Sequence, residues 1–431
     1  MLSRAAGECH ARSPAGSVFS RLPVRCGVQW TPQRLTWSAL LMGWSETTHL
    51  VERFGGIREF LKRTCPHWRL GTSYSGWIAA QGREQERLVP LVMERFRAQM
   101  RQLAGWQGIG RWNAFGVDGS DSPCPRTLAN QAAMGDKGKP DGIPQVTMTT
   151  LLHLRTGLPW SFRVGPGTES ERAQLREMLD DLPAGSLLVA DAGFVGYELC
   201  RRLLERGQHF LWRVGGNVRL LTELGYECEV KGSTVYLWPQ EFCDQPPLQL
   251  RLIKLGDEKK QTVYLVTSVL APEELAEEEA GQIFAARWGI EVNYRTIKQT
   301  LEFPALRSQT PDTCYLELTW LLLSQWLLKL INARALHDRG VDPRRASPAQ
   351  TRDVIRRCLK GERPCRRTCH SLRSLLGTCQ LDHYTRTRSK ASRNYPRKKK
   401  RQPPGPPQLK LPDQKQLQAA QRVTPLTIQL E

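Results

Sequence analysis

The spacing of apolar and polar residues changes along the chain and divides it into regions. Over residues 30–112 apolar side chains recur at helical spacing, for example at Leu88, Val92 and Phe96, while Arg and Lys occupy many other positions. This pattern predicts a basic, mostly helical N-terminal region that binds DNA. Residues 1–29 are rich in Gly, Pro, Ser and Arg without a period, so we expect them to be disordered or to precede the true start.

Residues 113–216 show a different pattern, in which short apolar runs alternate with amphipathic stretches. The predicted order is β-β-β-α-β-α-β, which is typical of an α/β domain. The predicted elements are strands at Phe115–Asp118, Val146–Leu154 and Trp160–Val164, a helix at Glu169–Leu182, a strand at Leu187–Ala190, a helix at Tyr197–Glu205 and a strand at Phe210–Val214.

Residues 217–269 are rich in strand patterns and predict a second, β-rich unit inserted into the first. After it, the pattern becomes helical again, and residues 270–340 complete the interrupted α/β domain. The predicted strands are Cys228–Val230, Thr234–Trp238, Leu248–Leu255 and Thr262–Thr267, and the predicted helices run from Pro272 to about Leu301 and from Thr313 to Leu336.

The last part of the chain divides into a helical region, 341–385, and a basic, Pro-rich tail, 386–431, which we expect to be flexible and to touch phosphates without specificity. The longest apolar run, Leu318–Leu328, is too short and too polar to span a bilayer. It is better interpreted as a buried helix, and no membrane association is expected.

Charge and cysteine usage narrow the class of protein. The chain has 62 Lys and Arg against 42 Asp and Glu, a net charge of +20, which favours a polyanionic partner such as nucleic acid. No secretory signal opens the chain, so its 12 cysteines are expected to be mostly reduced. The densest cluster, formed by Cys365, Cys369, His370 and Cys379, matches no common zinc spacing.

Four residues on the predicted long helix share one stripe: Phe284, Arg287, Glu291 and Lys298 follow one another at steps of three, four and seven. Taken alone, such a stripe is as often a solvated helix face of paired charges as it is a functional site. Trp288 lies beside it, and packing in the core is favoured over stacking on an unpaired base.

Two carboxylates follow predicted strands that are buried. Asp118 ends the strand from Phe115, and Asp191 ends the run Leu187–Ala190. An isolated Asp before a Gly is usually a plain turn, so these residues gain meaning only together with the helix stripe. Asp121 competes with Asp118 for the first position, but Asp118 directly follows the apolar residues and is preferred.

The order of these motifs resembles insertion-sequence transposases of the DDE class, whose third acid lies in a Y-(2)-R-(3)-E-(6)-K signature. Here the signature reads F284-AA-R287-WGI-E291-VNYRTI-K298, with VDGS around Asp118 and LLVADAGFVGYEL around Asp191. The resemblance implies a ribonuclease H-like α/β fold, a mixed sheet flanked by helices, with an all-β insertion. Phe284 replaces the Tyr of the signature, so a phenolic hydrogen bond to phosphate is lost.

By the same resemblance, Asp118, Asp191 and Glu291 are expected to hold two Mg²⁺ or Mn²⁺ ions, a choice that suits carboxylate oxygens. Arg287, Lys298 and Phe284 are then expected to contact DNA. The implied reaction is cleavage at element ends followed by transfer of the 3′-hydroxyl into target DNA.

The expected partners are double-stranded DNA, as terminal inverted repeats and target, and a second copy of the chain in the prokaryotic cytoplasm, near the nucleoid. Two alternatives stay open. One is a ribonuclease H-like nuclease that does not transfer strands, and the other is a transposase-derived DNA-binding protein without catalysis.

Overall fold

The computed structural model describes residues 27–103, 106, 108–135, 142–256, 262–362, 371–381 and 405–428. The chain forms two compact units, which are described separately. The first unit comprises Met1–Gln107, Gly119–Gln174 and Gly289–Leu381, and the second comprises Gly108–Asp118, Leu175–Trp288 and Asp382–Glu431. Of the cysteine cluster, Cys365, Cys369 and His370 lie outside the described residues, as does the basic run 386–401.

Helices and strands are numbered here in chain order. They are α1 (Pro32–Met42), α2 (Leu50–Thr64), α3 (Tyr74–Met100), β1 (Ala114–Pro123), α4 (Leu128–Met134), β2 (Gln145–His153), β3 (Leu158–Pro166), α5 (Glu171–Met178), β4 (Leu187–Ala190), α6 (Tyr197–Glu205), β5 (His209–Val214), β6 (Arg219–Leu221), β7 (Thr234–Leu237), β8 (Leu248–Leu255), β9 (Val263–Thr267), α7 (Glu277–Ala286), α8 (Gly289–Arg295), α9 (Pro311–His337), α10 (Pro348–Leu359), α11 (Leu372–Leu376), β10 (Gln408–Lys410) and α12 (Gln414–Ala420).

The first unit is mostly helical and is built around α9. Helices α1 and α3 begin at side-chain caps, Thr31 and Ser73, which accept hydrogen bonds from backbone N–H groups of the first turn. Trp326 of α9 is fully buried and packs edge-on against Phe96 of α3, with ring centroids 5.4 Å apart. The same unit holds the antiparallel pair β2–β3, whose register runs from Val146 opposite Pro166 to His153 opposite Leu158.

Helix α9 is long and apolar enough to cross a membrane by length and composition alone, but 72% of its most apolar window is buried inside the protein. Burial on nearly all sides is what an all-round hydrophobic helix requires in a packed core. This agrees with the interpretation of the apolar run as a buried helix.

The second unit contains most of a large mixed sheet, with its strands in the order β10-β6-β7-β8-β9-β5-β4-β1. Strands β1, β4 and β5 are parallel, and β9 joins β5 in the antiparallel sense. All four residues of β4 are buried, as expected for a short apolar strand covered on both faces. The mixed α/β class and the predicted order of strands and helices over 113–216 are confirmed; α4, between β1 and β2, was not predicted.

The strand-rich segment 217–269 differs from the expected separate all-β insertion. Its strands β8 and β9 continue the same sheet outward from β5, because β9 pairs with β5 along Leu211–Val214. The predicted strand at Cys228–Val230 is wrong, since these residues form turns, and β6 was missed.

The prediction of a wholly flexible tail is also wrong for residues 405–428. Strand β10 pairs in parallel with β6, and the Tyr226 hydroxyl donates to the carbonyl oxygens of Ala420 and Val423 at 3.1 and 2.9 Å. A three-residue strand has too little hydrophobic periodicity to be detected in a Pro-rich segment.

The predicted continuous helix from Pro272 to Leu301 is replaced by two helices and a π-turn. Helix α7 begins at Glu277 and ends at Ala286; α8 begins at Gly289, and a π-helical turn follows at Thr296–Thr300. At the break, the N–H groups of Arg287 and Trp288 donate to carbonyls three residues back. Gly at the junction weakens the helix further, so the single stripe expected for a straight helix is not kept.

His153 leads to a prediction about stability and pH. Burial, with the charge of Arg155 adding to it, lowers the pKa of His153 to about 3. The His153 ring packs at a tilt against Trp106, and its Nδ1 atom lies 2.8 Å from the Thr156 hydroxyl. The unfolded chain takes up this proton near pH 6.5 and the folded chain does not. Stability is therefore lost as the pH falls from 6.5 towards 3, by about 1.4 kcal/mol per pH unit at most.

We expect His153→Gln to flatten the fall in the free energy of unfolding between pH 7 and pH 5, measured by denaturant titration. The exposed His67 provides the control, and His67→Gln should leave the slope unchanged. Equal slopes for the wild type and His153→Gln would contradict this account.

Candidate functional site

The pairing of β1 with β4 aligns two of the predicted acids in the second unit. The parallel register pairs Ala114 with Leu187 and Gly116 with Val189, and the same step carried two residues further sets Asp118 beside Asp191. Equivalent positions on neighbouring parallel strands point to the same face and lie about 4.8 Å apart. Asp118, within β1, is therefore expected beside Asp191, which directly follows the carboxyl end of β4. In α/β proteins, ligands bind at this end of the parallel strands.

Asp191 has an unusual environment for a surface carboxylate. Its side chain is 43% exposed, yet its Oδ1 atom is inaccessible and accepts no hydrogen bond in the part of the chain that the structure describes. The other oxygen, Oδ2, lies 3.1 Å from Nη2 of Arg287. A buried carboxylate oxygen without a donor is costly unless a cation completes its shell. The donor set and this atom fit a hard divalent cation.

Arg287 contacts both the Asp191 carboxylate and the Phe284 ring. The Arg287 side chain is only 9% exposed, and its guanidinium lies 5.4 Å from the centroid of the Phe284 ring. Arg287 therefore neutralises Asp191 in this structure and is not open to solvent. Its expected contact with a DNA phosphate would require it to leave this position.

The interpretation of Trp288 as a core residue is wrong, because its side chain is 56% exposed. It follows α7 directly, at the break in the helix, and the break turns it outward. An exposed indole beside a cation is a surface on which a base can stack.

The first unit carries Glu291 in the first turn of α8, where the positive end of the helix dipole favours a carboxylate. Among the residues that the structure describes, no group of three or more His, Cys, Asp or Glu side chains is close enough to hold a metal ion. Asp118 and Asp191 belong to the second unit and Glu291 to the first, and a metal site formed by all three acids stays a prediction.

Lys298 lies in the π-turn of the first unit and contacts β1 instead of facing solvent. Its Nζ donates to the Ser120 hydroxyl at 2.8 Å and to the Asp121 carbonyl at 2.9 Å. Burial lowers the pKa of Lys298, and the charge of Asp121 opposes this. Asp121 itself accepts a hydrogen bond from Thr147 at 2.7 Å. The contacts tie the segment after Glu291 to the residues that directly follow Asp118.

Two features near these residues were not predicted from the sequence. Glu171 lies so close to Gly119 that a Cβ atom at this glycine would stand 2.3 Å from the Glu171 carboxyl carbon, so the position admits no side chain unless Glu171 moves. In addition, a buried cluster of Asn293, Gln325 and Lys329 lies along α8. Neither feature has a motif or a spacing that identifies it in one sequence.

Comparison with known proteins identifies a family model, a curated relative and similar solved structures. Residues 114–327 match the family model described as "Transposase DDE domain". The chain is 25% identical over 274 residues to the transposase InsG for insertion sequence element IS4 of Escherichia coli (strain K12), in a match that covers 59% of this chain and 59% of that protein. The chain therefore matches less than two thirds of the length of this relative.

One of the similar solved structures is a cryo-EM structure of a piggyBac transposase synaptic complex with hairpin DNA. It has 11% sequence identity and a TM-score of 0.41, and it covers 86% of this chain and 82% of that chain. A similarity this low carries no argument about the fold. The domain match and the curated relative support a DDE-class transposase, and the match spans β1, β4 and most of α9.

The contact between Arg287 and Asp191 generates a prediction for the protein without DNA. Replacing Arg287 by Gln removes the cation that competes for Oδ2, so Mn²⁺ should bind several-fold more tightly. Titration calorimetry with Mn²⁺ alone measures this. Arg206→Gln is the matched control, because Arg206 pairs with the exposed Asp180 at 3.0 Å. Unchanged Mn²⁺ affinity in Arg287→Gln would show that this pair does not compete with a metal.

Proposed function

We propose that this chain is a transposase that cuts DNA at the ends of an element and joins the released 3′-hydroxyl to target DNA. The observation that carries the proposal is the parallel register of β1 and β4, which, extended by two residues, sets Asp118 of β1 beside Asp191 directly after β4. One Asp191 oxygen lacks a donor among the residues that the structure describes. The domain match over 114–327 supports it, and the net charge of +20 fits a DNA partner.

Asp118, Asp191 and Glu291 are proposed as the ligands of two Mg²⁺ or Mn²⁺ ions. When bound, such ions activate the attacking oxygen and stabilise the leaving oxygen of an in-line displacement at phosphorus. The three carboxylates supply hard oxygen ligands, and their mutual repulsion is offset only when cations are bound between them. When a metal ion binds, Asp191 would release the Arg287 guanidinium and ligate the metal instead.

The reaction follows in two displacements. In the first, water attacks the phosphorus at the element end, the bond to the 3′-oxygen breaks, and a 3′-hydroxyl and a 5′-phosphate result. In the second, this 3′-hydroxyl attacks a phosphodiester of the target, forming one P–O bond and releasing a target 3′-hydroxyl. The second step exchanges one phosphodiester for another and needs no external energy source.

The residues around the acids are proposed to position DNA. Arg287, once released from Asp191, can bind a backbone phosphate with its planar guanidinium. The Phe284 ring packs against this guanidinium and helps to hold it in place. Lys298 is proposed as the second phosphate contact, beside β1, and would give up or share its contacts with Ser120 and the Asp121 carbonyl. The partners proposed are the element's terminal inverted repeats, target DNA and a second copy of the chain in a synaptic complex, in the cytoplasm of a prokaryote.

The proposal is tested on a labelled duplex that carries the element's own end, with Mg²⁺ or Mn²⁺ and an unlabelled target. Asp191→Asn and Glu291→Gln should each lower both nicking and joining by roughly a thousandfold or more, because the groups act as a unit. Gel analysis separates nicked from joined products. Asp180→Asn and Glu59→Gln, at exposed carboxylates of the second and first unit, are the matched controls and should retain full activity.

The alternatives correspond to distinct outcomes. Nicking without joined products in the wild type would identify a nuclease and contradict strand transfer. Binding of the duplex without nicking under either metal would identify a DNA-binding protein that lacks catalysis.

A further inference from the structure

A cluster of buried polar side chains lies against α8, the helix that carries Glu291. Asn293 and Gln325 are both fully buried, and the Gln325 amide donates to the carbonyl oxygen of Asn293 at 2.6 Å and to its Oδ1 atom at 3.0 Å. Lys329 donates to the same Oδ1 at 3.0 Å and to the carbonyl oxygen of Gly157. All of these residues belong to the first unit.

Lys329 is a costly residue to place here. Its acceptors are an amide oxygen and a backbone carbonyl, both uncharged. Burial lowers the pKa of Lys329 to about 7, so the folded chain holds the ammonium less readily than water does. An apolar side chain of similar length would avoid this penalty. A core under selection for stability alone has no use for the cation, which points to a requirement for fixed geometry.

The cluster contacts the side of α8 opposite the predicted acid. Asn293 follows Glu291 by two residues, which is about 200° around a helix. Gln325 and Lys329 are four residues apart on α9, so both face α8 from one side. Gly157 is in the turn between β2 and β3, and a Cβ atom at Gly289 would stand 3.4 Å from Leu152 of β2. Helix α8 is therefore tied to α9 and to the β2–β3 pair at once.

We propose that Lys329, with Gln325 and Asn293, is a positioning cluster that fixes the rotation and depth of α8 and thereby the direction of Glu291. This inference rests on the proposed function, since Glu291 acts there as a metal ligand. Lys329 touches no DNA and no reacting atom in this proposal. Its hydrogen bonds to Asn293 and Gly157 set where the carboxylate stands, in the way that outer residues of metal sites orient the ligands themselves.

The test compares Lys329→Met with Asn332→Leu in the full-length chain. Asn332 is the matched control: it is fully buried on the same helix, one turn away, and its amide donates to the carbonyls of Leu376 and Cys379 at 2.8 and 3.1 Å. Both variants lose buried hydrogen bonds and are destabilised, but only Lys329→Met releases α8. A conservative pair, Asn293→Asp and Asn293→Leu, separates the acceptor for Lys329 from simple packing.

Two measurements decide the outcome. Hydrogen exchange followed by mass spectrometry should show faster exchange over residues 289–300 in Lys329→Met and Asn293→Leu, and no change there in Asn332→Leu and Asn293→Asp. With labelled element-end DNA and Mn²⁺, the first two should lose about 10- to 100-fold in turnover at an unchanged KM for DNA, and the other two should not.

Equal exchange over 289–300 in Lys329→Met and Asn332→Leu would overturn the inference, as would equal losses of turnover. Failure of the proposed function is distinguishable from this, because it appears as a wild type that neither nicks nor joins. In that case the exchange comparison still decides whether the cluster holds α8, and faster exchange confined to Lys329→Met and Asn293→Leu supports it.

Discussion

The parallel pairing of β1 with β4 is the constraint on which the candidate site depends. Three residue pairs, from Ala114 with Leu187 to Gly116 with Val189, define the register. Extended by two residues, this register aligns Asp118 with Asp191. A slip of one residue would turn one of the two carboxylates to the opposite face of the sheet. All four residues of β4 are buried, so apolar packing on both faces holds this strand in the sheet. The chemistry proposed for the chain therefore begins in hydrophobic packing.

Carboxylates that lie close together repel each other, and each cation of the signature contacts groups of its own unit. Arg287 occupies one oxygen of Asp191, and Lys298 contacts the residues that follow Asp118. Both cations of the helical motif are thus directed inward in this state, although the sequence interpretation directed them to DNA.

Much of the fold follows from the sequence because the signals are local. The predicted run Leu187–Ala190 coincides with β4, and the predicted strand Phe115–Asp118 lies within β1, which continues to Pro123. Buried strands are recognised directly from short apolar runs. The buried helix α9 was likewise placed within a few residues of its ends. The assignment of Asp118, Asp191 and Glu291 depended on their spacing and on resemblance, and their roles stay a prediction.

What the sequence did not reveal depends on contacts between distant residues. The break at Arg287 and Trp288 interrupts a pattern that is periodic on both sides, so periodicity alone predicts one helix. The addition of β10 to the sheet rests on a three-residue strand far along the chain. The Lys329 cluster joins residues more than a hundred positions apart, and a buried lysine at helical spacing looks like any surface lysine.

The central claim is tested most directly by anomalous X-ray diffraction at the manganese absorption edge. The crystals would contain the full chain bound to element-end DNA with Mn²⁺. The account predicts an anomalous peak between the carboxylates of Asp118 and Asp191, with Glu291 among the ligands and Arg287 moved off Asp191. A complex in which DNA is bound, Arg287 still pairs with Asp191 and manganese binds elsewhere would contradict it.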